Sequence, residues 1–166
     1  MPLPSGAHFS PCRTYRYLLW RKWQAQAPSV LFIGLNPSAA DEHTNDPTIR
    51  RCLDFARRWG YGSMYVANLF AFCTHDPREL KQAPDPIGPE NERYLREYIQ
   101  CADRTVLIWG NHGSYLGRDR EVLPLIPDPW CIKITAQGQP GHPLYLRKDM
   151  PPIPFPSSDD SKSSDE

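Results

Sequence analysis

Val30-Leu31-Phe32-Ile33-Gly34-Leu35-Asn36-Pro37-Ser38 begins as an apolar, β-branched-rich run, stops at Gly34 and turns at Asn36-Pro37. Such a run is a buried strand whose carboxyl end opens into a polar loop. Ligands of open parallel sheets bind in the crevice beyond the carboxyl ends of the strands, so Asn36 is the first candidate for chemistry. The same event recurs downstream. Met64-Tyr65-Val66-Ala67 ends in Asn68-Leu69-Phe70-Ala71-Phe72, and Thr105-Val106-Leu107-Ile108-Trp109 ends in Gly110-Asn111-His112-Gly113. A fourth strand, Trp130-Cys131-Ile132-Lys133-Ile134, leads into Gln137-Gly138-Gln139-Pro140-Gly141-His142-Pro143-Leu144-Tyr145.

Helical patterns separate these strands. Asp46 is a good N-cap with Pro47 at the first helical position, and Ile49, Cys52, Leu53 and Ala56 form one apolar stripe that closes at Gly60. Pro89 opens a second helix whose apolar face is Tyr94, Leu95, Tyr98 and Ile99, and a shorter one carries Val122, Leu123 and Ile126. Between Cys73 and Gly88 lies a long Pro-rich loop. Alternating strands and helices predict a three-layer α/β/α fold around a central four-stranded, mainly parallel sheet. Right-handed crossovers place the strand-end loops along one edge, so Asn36, Asn68, Asn111/His112 and His142 should converge there.

The flanks read differently. Residues 1–11 are an extended N-terminus, and 12–148 are the folded domain. The alternation in Cys12 to Trp23 predicts an antiparallel edge strand, with Arg13 and Arg16 read as a solvated face ahead of the alternative that they reach phosphates, and Trp20 and Trp23 packed in the core or at its rim. Residues 149–166 are rich in Pro, then Ser and Asp, and are expected to be disordered.

Composition narrows the classes. Nineteen prolines in 166 residues argue for long ordered loops rather than a helical bundle. Formal net charge is zero, but Asp159, Asp160, Asp165 and Glu166 against Lys162 leave the rest of the chain at +3, which neither requires nor excludes nucleic acid. Five unpaired-looking cysteines, with no C-x-x-C, are expected to be reduced, buried structural thiols of a cytoplasmic protein, with no metal site and no cofactor. No apolar stretch reaches membrane-spanning length, and a monomer is expected. No phosphate loop, dinucleotide fingerprint, nucleophile elbow or zinc-type helix is present. Bland readings stand beside the chemical ones: Asn36 as a turn former, His142 as a loop histidine, Asp46 as a helix cap, and His43, His75 and His112 as exposed or structural residues.

Gly34-Leu35-Asn36-Pro37-Ser38, Asn68 at a strand end, Ile108-Trp109-Gly110 and Gly141-His142-Pro143-Leu144 resemble, in order, the signatures of the uracil-DNA glycosylase superfamily. A closer resemblance is to a small bacterial and phage family, domain-of-unknown-function family 1643. It is carried by Cys12-Arg13, Asn36-Pro37-Ser38-x-x-Asp41, Asp46-Pro47-Thr48, Asn68-Leu69-Phe70, Trp109-Gly110 and His142-Pro143-Leu144. The superfamily resemblance implies a DNA partner and excision of a damaged, mismatched or modified base. It implies Asn36 positioning water, His142 donating to the departing base and Asn68 reading it, with Phe70 or Phe72 stacking on it. Ser38, Arg50, Leu144 and Tyr145 would contact DNA, the last two as a wedge, and Asp41, Asp46, Asn111 and His112 would be secondary site residues. Two other expectations stay open: a non-catalytic module that recognises a modified base or nucleotide in a phage-defence or DNA-modification system, and an enzyme acting on free nucleotides.

Overall fold

The computed structural model describes residues 3–157, and the last part of the Ser/Asp-rich tail lies outside them. The protein is a mixed α/β domain built on one seven-stranded sheet. Its strands are β1 (Ser5–Phe9), β2 (Arg16–Lys22), β3 (Ser29–Gly34), β4 (Ser63–Asn68), β5 (Arg104–Leu107), β6 (Pro129–Cys131) and β7 (Ile153–Pro154), in the order β1-β2-β4-β3-β5-β6-β7. The four central strands, β4-β3-β5-β6, are mutually parallel, as expected from their hydrophobic runs.

Three strands enlarge the expected four-stranded sheet. Residues 5–9 are not a loose extended end but pair with β2 from Ser5↔Arg21 to Phe9↔Arg16. That pairing moves β2 from the edge to an interior position, antiparallel to β4 on its other side. At the far edge Trp130↔Pro154 and Cys131↔Ile153 join β6 to β7, inside the segment expected to be disordered. Two hydrogen bonds hold this stretch: Trp59 Nε1 donates to Met150 O at 3.0 Å and Phe155 N to Pro129 O at 2.9 Å.

Four α-helices complete the fold among the described residues: α1 (Pro47–Arg58), α2 (Pro77–Gln82), α3 (Asn91–Cys101) and α4 (Arg118–Val122). α1 starts as its sequence dictates, with Asp46 Oδ1 accepting from Ile49 N at 2.9 Å and Pro47 in the first turn; Arg57 and Arg58 lie at the negative end of its dipole. α2 was hidden in the Pro-rich loop. Its start repeats that of α1, with Asp76 capping Arg78 N at 2.9 Å ahead of Pro77.

Side-chain alternation along β3 divides the core. Val30 and Phe32 join Ile49, Cys52, Phe55 and Ala56 of α1, while Leu31 and Ile33 join Leu80, Leu95 and Val122 from the other three helices. Burying each large side chain in these clusters contributes about 1.5–3 kcal/mol, which fixes the register of the central strands. All five cysteines are free thiols; Cys52 and Cys131 are buried, but Cys12 and Cys101 are exposed, contrary to the structural reading of each. No helix among the described residues is long and apolar enough to cross a membrane.

Candidate functional site

The carboxyl ends of β3, β4 and β5 open onto a cavity of about 670 Å³. Its inner end is formed where Gly34 and Asn68 lie side by side as register partners on parallel strands. A Cβ on Gly34 would stand 2.8 Å from Asn68 Oδ1, so only glycine leaves room for this amide. Asn68 is buried and its backbone is fixed from behind: Asn91 Nδ2 donates to Asn68 O at 2.9 Å and to Leu69 O at 3.1 Å. Its own Nδ2 has no hydrogen-bond partner among the described residues.

Asn36 enters from the loop after β3. Its Nδ2 donates to Thr74 O at 2.7 Å, Pro37 O at 3.1 Å and Phe72 O at 3.4 Å. The NH2 end is thereby committed to the backbone of two loops, and the carbonyl end remains as an acceptor at the cavity. This is more than a turn-forming role, because the side chain bridges segments far apart in sequence.

His142 comes from the last loop. Gly110, at φ 73, donates its N–H to Pro140 O at 2.8 Å, and Gly141 N donates to Lys133 O at 2.7 Å, which draws this loop across the end of β5. Trp109 Nε1 donates to Gln139 Oε1 at 2.9 Å and pins it further. The Nδ1 of His142 accepts from Leu144 N at 3.3 Å, so the neutral ring carries its proton on Nε2. Burial lowers the His142 pKa and nearby Asp46 opposes that shift, which keeps the ring neutral at pH 7.

The other expected residues divide. Ser38, Asp46, Asn111, His112 and Tyr145 line the cavity. Asp46 does so while capping α1, and Asn111 Oδ1 accepts from Thr135 Oγ1 at 2.7 Å. Tyr145 is 86% exposed at the rim, its ring 5.7 Å from that of His142. Leu144 is exposed beside the cavity without lining it. Phe70 is fully buried in the second core cluster against Tyr115, and Phe72 packs beside the same cluster against Tyr15. Neither aromatic lines the cavity, so neither is placed to stack on a ligand there. Asp41 closes its own loop by accepting from His43 N and Thr44 N at 2.9 and 2.8 Å, bonds that lower its pKa, and lies off the cavity. Arg50 is exposed, off the cavity, and bonded to Asn45 O at 3.0 Å.

Arg16 is the residue the sequence reading misplaced. It is 2% exposed, not solvated, and lines the cavity. Its Nη1 donates to Ala40 O at 3.1 Å, and its Nε has no partner among the described residues. Burial pushes its pKa down to about 10, with Cys73 and Asp46 acting in the opposite direction, so it stays a cation at neutral pH. Arg13 behaves as expected of a surface residue: its guanidinium pairs with Glu42 at 2.8 and 3.0 Å and holds that carboxyl down at about 2. The two arginines differ only by position on β2 and its approach. With β1 outside it, β2 is an interior strand, and that covering strand had no strong sequence signal.

No curated protein and no solved structure matches this chain. The family described as protein of unknown function (DUF1643) matches residues 16–144, a span that includes Arg16, Asn36, Asn68 and His142. With most of its length inside that match, the chain belongs to the DUF1643 family.

Proposed function

We propose that the cavity binds a nucleobase and that the protein hydrolyses an N-glycosidic bond, acting on a damaged, mismatched or modified base flipped out of DNA. The observation that carries this reading is the convergence of Asn36, Asn68 and His142 from three separate strand ends onto one cavity large enough for a base and its sugar. A uracil-DNA glycosylase-like, three-layer arrangement fits the division of the core by β3, with helices packed into both clusters.

Each residue has a definite task. Asn36, held by its NH2 group, presents a carbonyl that accepts a hydrogen bond from water and orients it toward the anomeric carbon. The water oxygen bonds to that carbon as the bond to the base nitrogen breaks, with the electron pair leaving on the base. The sugar passes through an oxocarbenium-like state. Neutral His142 donates from Nε2 to the negative charge growing on the base, and the proton lost by water ends on the base. Asn68 hydrogen-bonds the base edge. An amide is a poor base, so positioning and charge stabilisation carry the rate, and turnover is slow.

The test is abasic-site formation on duplexes and single strands carrying uracil, mismatches and modified bases. Product from one of these substrates, reduced by about 100-fold or more in Asn36→Ala and in His142→Ala, supports the assignment. Undiminished excision in folded variants removes both residues from the mechanism, and no product on any substrate removes the activity. A second reading, action on free nucleotides, is favoured by Arg16, a cation that lies inside the cavity rather than on its rim.

A further inference from the structure

We propose that Arg16 and the first turn of α1 form an anion subsite inside the cavity, and that its ligand is a free nucleoside monophosphate, held there by its phosphate. This rests on reading the cavity as a nucleobase site and, of the two substrates given for it, takes the free nucleotide.

Arg16 makes no ion pair among the described residues, although its guanidinium is buried. A guanidinium has five N–H donors, and the fold satisfies only the Nη1 side, through Ala40 O. Nε is left without a partner among the described residues, and the Nε/Nη2 edge is the fork that matches two oxygens of one anion. Thr48 and Ile49, in the first turn of α1, line the same cavity and bring the positive end of a twelve-residue helix to it.

Charge supports the same ligand. Arg16 and exposed Lys133 face the cavity against one carboxylate, Asp46, whose Oδ1 is committed to Ile49 N. Unused donors around a buried cation call for a group that only accepts and that carries full charge. A neutral base edge mixes donors with acceptors and leaves the cation unbalanced; a phosphate meets both demands. Depth separates free nucleotide from duplex. The phosphates of a DNA backbone stay outside the mouth when a base is flipped, so they do not reach a residue only 2% exposed.

The experiment is isothermal titration of the full chain with the four deoxynucleoside monophosphates and dUMP, the matching nucleosides, and inorganic phosphate. At least one nucleotide is expected to bind tenfold or more tightly than its nucleoside, with inorganic phosphate competing. Arg16→Met is expected to erase that difference, and Arg16→Lys, which keeps a point charge without the fork, to retain part of it. Equal affinity for nucleotide and nucleoside, a preference that survives Arg16→Met, or no binding by any of these probes overturns the proposal. Circular dichroism checks the fold of Arg16→Met, and should it not fold, the wild-type comparison and Arg16→Lys still decide. Excision from DNA without nucleotide preference removes the anion subsite and leaves the glycosylase reading. Nucleotide preference without excision does the reverse.

Discussion

If Arg16 is held in place for a ligand, replacing it with methionine should leave the ligand-free fold about as stable as before. The structure supplies both sides of that estimate. A guanidinium pKa pushed down to about 10 by burial corresponds to roughly 3 kcal/mol of penalty on the charged form. For a base whose pKa falls on folding, this penalty is present in full below about pH 10 and relieved only as pH rises toward the ordinary guanidinium value, so it applies entirely at pH 7. Methionine removes it, fills much of the same volume and loses one hydrogen bond, Nη1 to Ala40 O, worth about 1.5–3 kcal/mol for a charged donor. The two terms nearly cancel, as is common when a buried charge gives way to an apolar side chain. Calorimetry at pH 7 should therefore find the Arg16→Met melting temperature within about 4 °C of wild type. A fall of about 10 °C or more would mean a loss near 3 kcal/mol. Arg16 would then be a structural tie to the Ala40 loop, and the functional reasoning about it would fail.

Other perturbations address neighbouring parts of the site. Gly34→Ala puts a Cβ 2.8 Å from Asn68 Oδ1, so ligand affinity should drop tenfold or more while thermal unfolding shifts modestly; unchanged affinity would show that Asn68 does not contact ligand. Asp46→Ala removes the cap of α1 and should cost about 1 kcal/mol in chemical denaturation. Because it also removes the one carboxylate of the cavity, nucleotide binding should become tighter in the same variant. The folded state favours neutral His142, with a pKa below the usual 6.5, and so binds fewer protons than the unfolded chain around that pH. Wild-type stability should consequently fall as pH drops below about 6.5, and a melting series from pH 8 to 5 should show a shallower fall in His142→Gln.

Much of the fold was legible because the central strands are short apolar runs that end abruptly. Val30–Gly34 and Met64–Asn68 identify themselves by burial on both faces, and Asp46-Pro47 marks a helix start with two independent signals. The same Asp-Pro signal at Asp76-Pro77 marks α2, but it stands in a segment whose prolines read as loop and whose six residues give too little periodicity. β1 and β7 were invisible for another reason. Ser5–Phe9 and Ile153–Pro154 have little apolar alternation of their own, and their pairing comes from the neighbouring strand. The site followed suit. Asn36, Asn68 and His142 could be placed by topology alone, since strand ends of a parallel sheet share an edge. Arg16 could not, since its burial depends on β1. Phe70 shows the opposite error: it lies two residues past Asn68, beyond the end of β4 where strand alternation no longer holds, and packs with Leu69 into the second core cluster instead of beside the cavity.

The two weakest strands have a role that their size conceals. β1 and β7 lie outside the 16–144 family match, one on each side, and occupy the two margins of the sheet. Within the match the outermost strands are β2, seven residues rich in apolar side chains, and β6. A chain cut to those limits would leave rows of unpaired N–H and C=O groups at both margins, a template for intermolecular strand addition. The flanking segments thus act as built-in guards against self-association. The proline in the two-residue β7 adds to this, because it withholds a donor from any strand that approaches from outside.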